Sequence, residues 1–163
     1  MSLHEFCQWL QDSYYSTAIR ESVWVFPIIE GSHVLALGLS LGTVLWFDLR
    51  LLGFGFRRLS VSETFVYVRP WMFTGFAIMV VTGILLFFSL PMRCYQSTFF
   101  AIKLVLLLFA GINVAVFHST IDRRRAEWDR DLVPPLGARI AGGLSLAVWI
   151  LVVTVGRLMA YTL

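Results

Sequence analysis

Three ionisable residues, Glu30, His33 and Asp48, stand in the stretch Pro27 to Arg50, PIIEGSHVLALGLSLGTVLWFDLR, which is otherwise apolar and long enough to cross a bilayer. A charge inside such a span costs roughly 2.5–3.5 kcal/mol on insertion scales, so it is seldom kept without a task. At about 100° per residue, Glu30 and Asp48 share an azimuth and His33 lies about 60° away, so all three fall on one stripe. Gly31, Gly38 and Gly42 form a neighbouring stripe, where another helix backbone can approach. Lys103, Arg157 and His118 stand in or beside later apolar runs. A neutral imidazole among such groups can ligate a metal or a haem iron. Membrane cations can hold carboxylates such as haem propionates, and the acids can pair with the cations or line an ion path.

Depth sorts these residues into two groups. Counted from the arginines at about 1.5 Å per residue, His33 lies roughly 26 Å up from Arg50, Lys103 roughly 30 Å from Arg123 and Arg157 roughly 27 Å from Arg139. Glu30 is at a similar level, so Glu30, His33, Lys103 and Arg157 are expected to form an outer cluster. His118 is only about 8 Å from the inner edge, at the depth of Asp48 and Arg69. A single haem held by both His33 and His118 is disfavoured by a depth difference of roughly 18 Å. Plain structural roles stay open: a Glu30 ion pair with Lys103 or Arg157, His33 hydrogen-bonded beside it, His118 paired with Asp48 or a lipid headgroup, and His4 in water.

The elements that must position these side chains are helices. The chain has 163 residues, of which 58% are hydrophobic and 14% charged, with a net charge of +3. That balance is too apolar for an ordinary soluble domain and indicates an integral membrane protein. The fold expected is all-α, a four-helix transmembrane bundle in one domain, with spans at about 23–50, 66–90, 99–120 and 137–161. Residues of about 3–22 read as one amphipathic surface helix with interfacial aromatics. Ser60 and Glu63 are spaced as a capping box for the second span. In that span, Thr74, Gly75, Thr82 and Gly83 offer close packing and interhelical hydroxyls. Asp122 to Arg130 is a charged helical extension beyond the third span, closed by Pro134-Pro135.

Arg57, Arg58, Arg123, Arg124, Arg125 and Arg130 fall on one side of the spans, against Arg20 and Arg93 on the other. The positive-inside rule makes the arginine-rich side cytoplasmic and puts both termini outside the cytoplasm. Cys7 and Cys94 then share the outer face, where a disulfide is open to them if that face is periplasmic. The first residues lack a basic stretch followed by an apolar one, so no cleaved signal peptide is expected. Dinucleotide, phosphate-loop, serine-hydrolase and zinc-protease motifs are absent. No basic stripe points to nucleic acid.

The segments Pro27-Ile-Ile-Glu-Gly-Ser-His33 and Asp48-Leu-Arg-Leu-Leu-Gly53, with Pro70-Trp71, Lys103 and Phe117-His118, resemble an uncharacterised family of small bacterial four-helix membrane proteins. A weaker similarity is to the HemJ-type protoporphyrinogen oxidases, four-helix proteins that bind b-type haem. Their first-span histidine is matched by His33, and their third-span lysine and histidine loosely by Lys103 and His118, here more widely spaced. The membrane domain of copper-resistance D proteins is similarly alike. These resemblances imply haem b or a metal at His33. The function expected is a b-type haem protein or redox subunit of a bacterial inner membrane. His33 is its leading iron ligand, His118 the second candidate, and Lys103, Arg157 and Glu30 line the cofactor site. A quinone or a periplasmic redox protein would be its partner, within a homo- or hetero-oligomer. Two alternatives stay open: a transport or metal-handling path along Glu30, His33 and Asp48, or a structural subunit packing through its glycine stripes.

Overall fold

The computed structural model describes residues 2–54 and 59–162, so Arg57 and Arg58 lie outside the described residues. The described chain is all helical. Four helices, α3 (Val25–Leu51), α4 (Val61–Ser89), α6 (Thr98–Val116, continuing to Trp128) and α8 (Leu136–Thr162), are long and apolar enough to cross a membrane. The chain is a multi-pass membrane protein. Shorter helices α1 (Leu3–Gln11), α2 (Tyr14–Glu21) and α5 (Pro91–Gln96) lie between or beyond the spans, and α7 (Arg125–Trp128) ends the continuation of α6.

The spans pack as two hairpins, α3 with α4 and α6 with α8, and α8 joins them by packing on α3. Glycine sets the tightest seams. A Cβ on Gly75 of α4 would lie 2.9 Å from the Ser40 nitrogen and 3.0 Å from the Ala36 carbonyl oxygen, so only glycine lets α4 lie this close to α3. Gly142 of α8 does the same against Asp48 and Leu51. The Gly31, Gly38 and Gly42 stripe, expected to receive a helix, meets nothing within 4 Å and lies on the outside of α3. Close approach needs a small residue on only one of the two partners, and here α4 and α8 supply it. Between α4 and α6 packing is sparse. Phe87 stacks on Phe100 at one end (5.8 Å between centroids), and Phe65 meets the His118 ring at the other (6.2 Å). Of the four spans α6 is the most apolar and the least enclosed by protein.

The arginine-rich end is fastened by backbone accounting. The first N–H groups of α4, which lack partners inside the helix, are all satisfied. Val61 N–H donates to the Asp129 carbonyl (3.0 Å), Ser62 to the Asp129 carboxylate (2.7 Å), Glu63 to the Ser60 hydroxyl (3.0 Å) and Thr64 to the Ser60 carbonyl (3.0 Å). The Glu63 carboxylate accepts from the Ser60 N–H (2.7 Å), completing the capping box. The helix therefore starts at Val61, ahead of the expected 66, and Pro70 is internal and deprives the Val66 carbonyl of its helical donor. Partial burial pushes the Asp129 carboxyl up. The Ser62 N–H, the Ser62 and Ser60 hydroxyls and the Arg125 guanidinium outweigh it and hold the group below the usual carboxylate range. Arg50, only 1% exposed, donates to the Leu59 carbonyl (3.0 Å) and the Asp131 carbonyl (3.1 Å), tying α3 to both neighbouring loops.

At the opposite end the expected single surface helix is two, because Ser13 breaks the run and caps α2 through the Ser16 N–H (3.3 Å). These helices sit on the ends of α4 and α5. Ser16 donates to the Ser89 carbonyl (3.4 Å), and the Gln11 side chain accepts from the Met92 N–H (3.2 Å). His4 is exposed and meets the Tyr95 ring edge-on. Cys7 and Cys94 are buried beneath this cover as free thiols. Burial pushes the Cys94 thiol up to about 11, with Cys7 adding to the rise and Lys103 opposing it.

Candidate functional site

The outer group forms around His33. Thr82 of α4 faces it across the helix seam, with 2.8 Å between Nδ1 and Oγ1. The Thr82 oxygen also lies 2.6 Å from the Ile78 carbonyl and 3.3 Å from that of Met79. Carbonyls only accept, so the hydroxyl proton goes to Ile78 and Nδ1–H donates to Thr82. Nε2 is then the nitrogen with the open lone pair. Gly83 makes room for the ring, since a Cβ there would lie 3.3 Å from Cε1. Lys103 of α6 lies in the neighbourhood of His33 and Cys94. Its ammonium passes over Gly156 of α8, 3.7 Å from where a Cβ would be. One side chain or glycine from each of the four spans thus meets at this level. Among the described residues no carboxylate pairs with Lys103.

The other expected members of the outer cluster make no hydrogen bond or ion pair with His33 or Lys103 among the described residues. Glu30 is exposed near the start of α3. Arg157 is exposed and folds along its own helix, donating to the Tyr161 hydroxyl (3.3 Å) with its guanidinium 5.0 Å from that ring. Glu30 and Asp48 share an azimuth and yet differ in surroundings, because α8 covers α3 at Asp48, whereas Glu30 is exposed. His118 does not meet Asp48. It bonds Asp122 four residues on (2.9 Å), which in turn holds Arg125. Arg69 is exposed and lies over the Phe73 ring. The partners of the two histidines on α4, Thr82 and Phe65, are separated by a helical rise of roughly 26 Å. His33 and His118 therefore serve different ends of the bundle.

The inner group is a chamber of about 220 Å³ that all four spans line. Asp48 faces it, 4% exposed, and its Oδ2 has no hydrogen-bond partner among the described residues. Ser145 of α8 bonds the carboxylate, and Asn113 of α6 reaches the chamber while donating to the Ala141 carbonyl (3.0 Å). The remaining wall is mostly aromatic and aliphatic. Where α6 forms it, the helix widens into a π turn at Phe117–Ile121. The Thr120 and Ser119 hydroxyls take the Val116 carbonyl there (2.6 and 3.2 Å) and divert it from the backbone ladder. Single π turns recur at functional sites. The Gly75 seam against Ala36 and Ser40 lies between His33 and Asp48, so α3 carries two separate sites. Ser145 and Asn113 escaped the sequence reading because an isolated serine or asparagine in an apolar run carries no periodic signal.

Among the described residues, no three His, Cys, Asp or Glu side chains gather to hold a metal ion. Comparison with protein-family models, with curated proteins and with solved structures gives no match.

Proposed function

We propose that this multi-pass protein holds a b-type haem against His33 and works as a redox subunit of a bacterial inner membrane, its arginine-rich end in the cytoplasm. One observation carries this reading. The histidine is oriented by Thr82 through Nδ1, its ring is also bonded by the Met79 backbone, and it stands beside a lysine that has no carboxylate partner among the described residues. The donor set suits a cofactor that brings its own equatorial ligands more than a bare ion, which needs several protein ligands at once. When bound, a haem supplies one-electron transfer. His33 would hold the iron, the Nδ1–H bond to Thr82 would keep the ring oriented and its tautomer defined, and Lys103 would take a propionate. Arg157 would join the rim by exchanging its Tyr161 contact for a second carboxylate. His118, bonded to Asp122 at the far end, would serve only a separate centre or a second subunit. The positive-inside rule places the His33 site toward the outer face, where a quinone or a periplasmic protein can exchange electrons with it.

Visible spectra of the detergent-purified protein, oxidised and dithionite-reduced, test the proposal. A Soret band with a sharp reduced α band is expected, lost in His33→Ala and kept in His118→Ala. A colourless protein from haem-replete cells, or a band that survives His33→Ala, overturns it.

A further inference from the structure

We propose that the Asp48 chamber is a second binding site, for a small lipophilic organic cation (a single ring or short alkyl body bearing an ammonium group) that enters sideways from the bilayer between α4 and α6. The charge comes first. Asp48 is buried to 4% exposure with one oxygen unpartnered, and no cation pairs with it among the described residues. Arg50, two residues along, donates instead to the Leu59 and Asp131 carbonyls. A buried carboxylate with one oxygen idle has room for a counter-charge, and no described residue brings one to it.

The wall then narrows the class. Phe47, Phe73, Phe76, Phe117 and Trp149 supply aromatic rings to the chamber that Asp48 also lines, the combination that recognises alkyl and aryl ammonium groups through cation–π attraction. A bare metal ion finds too few oxygens, since Ca²⁺ alone asks for six to eight. An anion meets the Asp48 charge. Size sets the body: about 220 Å³ exceeds the roughly 150 Å³ that admits benzene, and falls short of the roughly 300 Å³ at which drug-sized pockets begin. One ring with a short amino arm fits.

The route in is the gap between the hairpins. α4 and α6 meet through rings at their two ends, Phe87 on Phe100 and Phe65 on His118, and between these ends they pack sparsely. Phe73 and Phe76 of α4 and Val114 of α6 line the chamber and are also exposed on the lipid-facing surface. A lipophilic amine partitions into the bilayer and reaches this opening without crossing a polar barrier. The proposal is independent of haem at His33, which lies beyond the Gly75 seam.

Titration calorimetry on the full-length, detergent-purified chain tests it with three probes of one shape: phenethylamine, phenethyl alcohol and phenylacetate. The amine is expected to bind at least about tenfold more tightly than the alcohol, and phenylacetate not to bind. In Asp48→Asn the amine should fall to the alcohol's level while the alcohol is unchanged. In Ala141→Phe, which fills the chamber, both should be lost. Should Asp48→Asn fail to fold, the amine-to-alcohol ratio of the unmodified protein still decides. Equal binding of amine and alcohol means a chamber for neutral molecules and overturns the proposal. So does preference for phenylacetate, or no binding of any probe.

Discussion

The two polar regions of this bundle both place an ionisable side chain of α3 inside the membrane span and surround it differently. At the outer site the polar groups touch glycine and hydroxyl: His33 bonds Thr82 against Gly83, and Lys103 runs over Gly156. The inner site sets a buried carboxylate in a chamber lined largely by aromatic rings and leaves one of its oxygens without a partner among the described residues. The difference follows from how tightly α3 is covered. At His33 the small residues of α4 leave space for a ring, whereas at Asp48 the close approach of Gly142 brings α8 over the backbone. An ionisable group in a span thus becomes either a hydrogen-bonded side chain or one with an oxygen left unpartnered according to its neighbours, and its cost alone does not say which.

The largest effect is expected where both regions depend on one contact. Gly75→Val places a side chain against Ser40 and Ala36 backbone atoms that cannot step aside. It should cost about 3 kcal/mol, lower the melting temperature and abolish both the His33 spectrum and amine binding. If one site survives intact, the seam does not couple them. Thr82→Val separates the regions instead. Removing the acceptor that orients His33 should weaken cofactor retention about 10–100-fold while phenethylamine binding stays as it was. An effect on the amine of similar size would mean that the two sites communicate.

The smallest effect concerns the arginine-rich end alone. Asp129→Ala removes a cap from α4 and should cost about 1 kcal/mol at neutral pH. Because the folded protein holds this carboxyl below its ordinary value, the stabilisation is present above the unfolded pKa of about 3.9 and is lost as pH falls through the lower folded one. Melting curves of the two proteins should differ at pH 7 and converge only in strong acid. A constant gap at all pH values would show that the carboxylate charge is not what α4 uses.

The spans were legible because a bilayer demands a fixed length of apolar chain, and the Ser60–Glu63 box was legible because its logic is local. The pairing of His118 with Asp122 is equally local, four residues apart on one helix face, and was open to reading. What the residues could not disclose was coverage. Glu30 and Asp48 share an azimuth, but only contact with α8 separates an exposed acid from a buried one. A glycine stripe shows where a helix can approach, and in α3 that face received none. Asp129 caps α4 only because the chain returns from the third span beside Ser62, a juxtaposition that spacing does not encode. Thr82 and Gly83 were visible as packing residues, and their service to His33 became visible only once α3 and α4 were set in register.

The third span, α6, is the most apolar of the four and the least enclosed. Lipid, more than protein, is its mould, and it carries Lys103 of one site and Asn113 of the other. The state of the bilayer is then expected to reach both regions through α6. Acyl chains that press α6 toward α4 would tighten both sites, and thin or loosely packed ones would slacken them. Reconstitution in nanodiscs of two acyl lengths should shift cofactor retention and amine affinity in the same direction, and opposite shifts would show that α6 does not transmit the bilayer's state.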